Sequence, residues 1–120
     1  MKITKILVLL FGMIAAGFSL STTRVSGNEQ KESGKDLYRA DCRICHDKES
    51  PNGEYSPMSF TQDQWKRFFD TKLATTHKDI VLAAKSAKLL EVLTSEQLAK
   101  IKKYCVDHAA DSEQPQTCSE

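Results

Sequence analysis

Residues 40 to 50 read ADCRICHDKES, placing two cysteines three positions apart and a histidine directly after the second. Cys42, Cys45 and His46 constrain the chain more than any other feature. Two thiols and an imidazole held on one turn serve few purposes: attaching a haem, contributing to a zinc site, or cycling as a redox disulfide. Each purpose asks for different surroundings, so the rest of the sequence discriminates between them.

The front of the chain fixes the compartment. Lys2 and Lys5 precede an apolar run from Ile6 to Phe18, and no acidic residue appears before Glu29. A basic start followed by an h-region of this length reads as a secretory signal peptide covering residues 1–27, with a small-residue cleavage site at Val25-Ser26-Gly27. The run is short of the roughly 20 apolar residues that span a bilayer, so no stable membrane anchor is expected after cleavage. Residues 28–120 then form the mature domain. Loss of Lys2, Lys5 and Arg24 from 17 basic side chains leaves 14 against 16 acidic ones. A near-neutral protein of this kind is not built to hold nucleic-acid backbones. Export implies an oxidising compartment, periplasmic in a bacterium, where a free thiol needs a reason to exist. A mature chain this short buries only about 60–65% of its unfolded surface, so a covalent or cofactor staple would help it.

Helix signals dominate the mature sequence, and no alternating apolar run proposes a strand. Ser33 and Asp36 mark the start of a helix with Leu37, Ala40 and Ile44 at helical spacing, running into the CRICH segment. Thr61 with Gln64 forms a capping box, with Phe60 and Trp65 as its hydrophobic staple and Trp65, Phe68, Phe69 and Leu73 as its apolar face. Thr94 with Gln97 repeats the device, stapled by Leu93 and Leu98, and Leu98, Ile101 and Cys105 continue the stripe with Tyr104 on its flank. Thr76 with Asp79 predicts a further helix from about His77 into the eighties, its face interrupted by Lys85 and Lys88. The loop DKESPNGEYSP joins the first two helices. The expected class is all-α.

With that frame the three chemistries separate. Covalent c-type haem attachment needs two thiols on one turn to meet the two vinyl groups and an adjacent imidazole to reach the iron; Cys-x-x-Cys-His supplies both. It also needs export, which the leader provides independently. A thioredoxin-like pair would accompany a βαβ pattern, and none is visible. Zinc could be completed by Cys105 and His108 from Cys-Val-Asp-His, but those residues lie some 60 positions away and the reading leaves His46 and the leader unexplained. One covalently bound haem c is therefore the expected cofactor, with His46 as its proximal ligand.

The stretch GKDLYRADCRICH resembles the N-terminal helix and haem motif of class I cytochromes c, with Gly34, Leu37 and Tyr38 at the positions that pack on the C-terminal helix. LTSEQLAKIKKYC, with Leu98, Ile101 and Tyr104, resembles that C-terminal helix. The resemblance spans most of residues 33–105. It implies three to five short helices around one haem, and one-electron transfer as the activity. The family also implies a proline whose carbonyl accepts the Nδ1–H of the proximal histidine; Pro57 matches it. The methionine that the family usually places before its last helix is missing here.

The distal ligand must therefore come from elsewhere. His77, placed at the start of a helix whose dipole disfavours imidazolium, is the first choice. Met58 is the second, although a neighbour of Pro57 would sit on the proximal side. His108, near the end of the last helix, is expected to face away from the iron. Two histidine nitrogens favour ferric iron and a low potential, whereas a methionine sulfur raises it. Cys105 and Cys118, left over in an exported chain, predict a disulfide tying the polar tail to the last helix, a closure contributing roughly 3 kcal/mol. The expected function is a low-potential electron carrier meeting other periplasmic redox proteins transiently, with Lys66 and Arg67, or Lys100, Lys102 and Lys103, as candidate docking charges. The alternative is a haem protein with an open sixth position, acting as a peroxidase or a gas or redox sensor.

Overall fold

Ser33 starts the first helix, its Oγ accepting the Asp36 amide at 3.1 Å. This is a computed structural model in which residues 32–117 are described. The expected leader, and Cys118 with the disulfide expected of it, lie outside the described residues. From Ser33 the chain runs without a break through Gly34–Leu37, a π-helical turn Tyr38–Cys42, and Arg43–His46, which together form α1 (residues 34–46). The wide turn closes with the Arg43 amide on the Tyr38 carbonyl, five residues back. That extra residue rotates everything downstream. Ala40 and Ile44, expected on the apolar face, are exposed, Ile44 by 58%, while Leu37, Tyr38 and Asp41 are buried.

The second helix, α2, comprises Gln62–Arg67, a second π-turn Phe68–Lys72, and Leu73–His77. Its capping box forms as expected: the Thr61 side chain accepts from the Gln64 amide while the Gln64 side chain accepts from the Thr61 amide. The Phe60 and Trp65 rings meet edge to face at 4.9 Å. The helix expected to begin at Thr76 does not form; α2 instead ends at His77. Thr71, Thr75 and Thr76 turn their hydroxyls back onto the Arg67 and Lys72 carbonyls. A Thr76 hydroxyl bound into the preceding turn does not cap a following one.

The next segment is a short antiparallel hairpin that the sequence did not announce: β1 Val81–Leu82 and β2 Ala87–Lys88, paired Val81 with Lys88 and Leu82 with Ala87. A 3-10 turn, Ala83–Lys85, and Ser86 at φ 49° reverse the chain. The two lysines that spoiled a helical reading here have partners instead, Lys85 on Asp41 and Lys88 on Asp79. One turn of helix, α3 (Leu89–Val92), leads to α4 (Ser95–Asp107), which Thr94 and Gln97 cap reciprocally.

The chain is thus mostly helical, in agreement with the all-α class. Leu37, Tyr38, Trp65, Leu93, Ile101 and Cys105 meet at its centre. Helices α1 and α4 cross at Gly34, where a Cβ would fall inside the van der Waals shell of the Lys100 carbonyl oxygen. Lys102 of α4 reaches Asp70 of α2 at 2.5 Å. The tail folds back on the start of α2, the Ala110 amide donating to the Phe60 carbonyl and the Gln62 amide to Asp111. Among the described residues no helix is long and apolar enough to cross a membrane.

Candidate functional site

Helices α1 and α2, the loop between them, and Ile80 and Leu89 on either side of the hairpin line a cavity of about 420 Å³, within the roughly 300–1,000 Å³ usual for ligand and cofactor clefts. Cys42, Cys45 and His46 line it from α1, and His77 lines it from α2. Its walls are mostly apolar, with Trp65, Phe68, Phe69 and Leu73 from α2 and Ile80 and Leu89 from the segment beyond.

His46 closes α1, and two tight turns follow it. The Ser50 amide donates to Asp47 and the Gly53 amide to Ser50, with Glu49 at φ 63° and Gly53 at φ 88°. Ser50 anchors these turns by donating its hydroxyl to the Cys45 carbonyl. They carry the Gly53 carbonyl to 3.1 Å from His46 Nδ1. The expected role of Pro57 is therefore corrected: Gly53 supplies the acceptor. The chain turns back onto His46 four residues before it reaches Pro57, whose own carbonyl accepts the buried Trp65 indole N–H at 2.8 Å. Pro57 is a fully buried packing residue beneath that indole.

The partner fixes the tautomer. A carbonyl can only accept, so His46 donates from Nδ1, and in the neutral ring Nε2 is the nitrogen left to bind a metal. His77 reaches the same state by a different route. Its Nδ1 lies 2.8 Å from Thr76 Oγ1, and that hydroxyl donates to the Lys72 carbonyl at 2.9 Å. With the hydroxyl proton on the Lys72 carbonyl, Oγ1 accepts from Nδ1–H, and in that tautomer Nε2 is the nitrogen with the lone pair. Burial holds His77 below its ordinary value of 6.5, against a backbone hydrogen bond to Leu73 that raises it; the neighbouring His46 lowers it further. Neutrality was expected from a helix N-terminus. It arises from desolvation at a helix C-terminus instead.

The two imidazoles lie with ring centres 6.0 Å apart and planes at 65°. A metal ion held between two imidazole nitrogens at about 2.0–2.1 Å each sets the ring centres roughly 6 Å apart. Tyr55 stands edge-on to His46 at 5.0 Å and Phe68 edge-on to His77 at 6.0 Å, so both rings are held from the side. Met58 is 41% exposed and does not line the cavity. His108 lies at the end of α4, its Nδ1 donating to the Gln114 carbonyl at 2.8 Å in the tail.

The thiols have an equally definite environment. Burial, with smaller contributions from Asp41 and Cys45, pushes the Cys42 thiol up to about 12. A redox or zinc-binding cysteine needs a stabilised thiolate, and Cys42 has the reverse. A thioether is neutral at every pH, so burial does not oppose it. Cys105 is fully buried between α1 and α4, and desolvation raises its thiol well above the ordinary range. Among the described residues no three His, Cys, Asp or Glu side chains converge to hold a metal ion unaided. An iron between His46 and His77 would need a macrocycle for its other four ligands. The residues present fit that demand: two half-buried thiols three residues apart, two imidazoles with ring centres 6.0 Å apart, and aromatic side chains lining the same cavity.

Three contributors were not anticipated. Gly53 orients His46, and the turn-forming PNG was its signal. Tyr55 accepts the Tyr38 hydroxyl on its carbonyl at 2.8 Å while its ring supports His46. Asp41 lines the cavity at 3% exposure and is neutralised by Lys85 at 2.7 Å. Nothing in the sequence pairs residues 41 and 85. Comparison with protein-family models, curated proteins and solved structures finds no match.

Proposed function

We propose that this protein is an exported one-electron carrier holding a single haem c through thioethers to Cys42 and Cys45, with His46 and His77 as axial ligands. The observation that carries the reading is the placing of the two imidazoles 6.0 Å apart in an aromatic cavity that also receives both thiols. The haem would supply a reversible ferric–ferrous couple. The chain's own residues do the rest. Gly53 and Thr76 engage the Nδ1 atoms of the two histidines, which would leave each Nε2 for the iron. Two nitrogen ligands favour the ferric state and a low potential. With both histidines bound to it, the iron would offer small molecules no free position, and electron transfer would be the chemistry left to it.

The test is spectroscopic. The matured protein should weigh one haem more than its polypeptide, show low-spin absorption, and give bis-histidine bands in near-infrared magnetic circular dichroism. A methionine-type band would reject His77. High-spin ferric spectra with rapid carbon monoxide binding would favour a peroxidase or sensor with an open position, and a colourless protein would reject the haem altogether.

A further inference from the structure

A second, smaller concavity of about 250 Å³ lies on the outer side of α2, lined by Phe60, Gln64, Arg67, Phe68 and Lys72. Two of its residues, Phe60 and Phe68, also line the large cavity, so they form a shared wall between the two. Phe68 stands edge-on to His77 at 6.0 Å. An electron crossing here passes a single aromatic side chain between the surface and a proposed iron ligand.

The charges at this groove differ from those elsewhere on α2 and α4. Lys66 is paired with Asp63, Lys100 with Glu96, Lys102 with Asp70 and Lys103 with Asp107. Arg67 and Lys72 are exposed, and among the described residues neither has a carboxylate partner. Two uncompensated cations flank an aromatic floor, on the side of the distal ligand. Compensated lysines attract an acidic surface weakly, because the neighbouring carboxylate repels it; unpaired ones steer it and are partly neutralised by it.

We propose that this groove is the docking surface for an acidic face of a partner redox protein, whose carboxylates pair with Arg67 and Lys72 over the Phe60–Phe68 wall. The proposal rests on the electron-carrier reading for its purpose, but the surface itself can be tested apart from the haem. A small contact of two ion pairs around an apolar centre suits an encounter that must dissociate quickly.

The experiment uses the full matured protein, an R67E/K72E double variant, and a charge-matched control, K100E/K103E, on α4. Binding of a fluorescein-labelled octa-aspartate peptide is read by anisotropy at low salt. In parallel, stopped flow reads the oxidation of the reduced protein by ferricyanide, in which one electron leaves ferrous haem and ferricyanide becomes ferrocyanide. The wild type should bind the peptide in a salt-sensitive manner. R67E/K72E should lose that binding and slow the ferricyanide reaction about tenfold at low salt, while the control retains most of both. Equal losses in the two variants would reduce the effect to net charge and overturn the proposal. So would a loss confined to the control, or a wild type that does not bind the peptide. Absence of haem would abolish the ferricyanide arm alone and leave the anisotropy arm readable.

Discussion

Substituting Gly34 by alanine tests the crossing on which the whole arrangement of α1 depends. The added Cβ would meet the main chain of α4, with the Lys100 carbonyl carbon at 2.8 Å and Tyr104 Cβ at 3.0 Å. Ordinary carbon contacts are about 3.5–4.0 Å, so the helices must separate by on the order of 1 Å. Main chain cannot rotate away as a side-chain tip can. Overpacking of this kind costs about 1–3 kcal/mol, and alanine's better helix propensity offsets at most about 1 kcal/mol. A net loss of about 1–2 kcal/mol follows, and a domain of this size loses roughly 4–8 °C per kcal/mol, so the unfolding midpoint should fall by about 5–15 °C. Thermal unfolding followed by far-ultraviolet circular dichroism reads it directly. Gly34 lies away from the cavity lining, so the absorption spectrum of the proposed haem protein should not change. An unchanged or raised midpoint would refute the close backbone crossing, and a changed spectrum would refute its separation from the site.

Replacing His77 by alanine should open the sixth position, giving a high-spin ferric protein that binds carbon monoxide or added imidazole; a spectrum still low-spin without added ligand would mean that another residue is the axial one. Gly53→Ala forces a side chain into a left-handed conformation costing about 1–2 kcal/mol and presses on the Tyr55 ring, 3.0 Å from the new Cβ. Its midpoint should fall accordingly, and a wild-type value would contradict the turn geometry that orients His46. Lys85→Met leaves the buried Asp41 carboxylate without its cation and should lower the midpoint, whereas D41N/K85M should recover much of the loss. Equal destabilisation in the single and double variants, read by the same melting assay, would show that the ion pair itself carries no energy.

What was legible in the sequence is what depends on neighbours along the chain. The capping boxes at Thr61 and Thr94 are local hydrogen-bond exchanges, and both form as their spacing predicts. The aromatic face of α2 and the Leu98–Ile101–Cys105 stripe follow from period alone. What was not legible depends on contacts made at a distance or on a change of period. The π-turn at Tyr38–Cys42 shifts the face of α1, so Ala40 and Ile44 point outward although a 3.6-residue period places them inside. Thr76 has a cap residue's chemistry but was already bonded into its own helix. The hairpin of residues 81–88 is too short to leave an alternating pattern, and it is held in part by Lys85 reaching back to Asp41.

The placement of His77 shows how a residue can reach the cavity by a local route other than the expected one. Two effects can keep an imidazole neutral, a helix N-terminus or burial, and the expectation from the sequence rested on the first alone. At an N-terminus the ring would stand where the dipole repels a proton. At the C-terminus of α2, where His77 actually lies, the dipole favours imidazolium, so the cavity must supply the opposing effect by withdrawing water. The second π-turn, Phe68–Lys72, matters here: by widening α2 one turn before Leu73, it resets the register in which Thr76 and His77 arrive. The first π-turn does the same for Cys42, Cys45 and His46. Each of these helices thus changes pitch within the stretch that lines the cavity, ahead of Cys45 and His46 on α1 and of His77 on α2. π-turns are energetically poorer than α-turns and persist where the surroundings over-determine them. Two of them flank the same cavity, one on each helix that carries an imidazole to it.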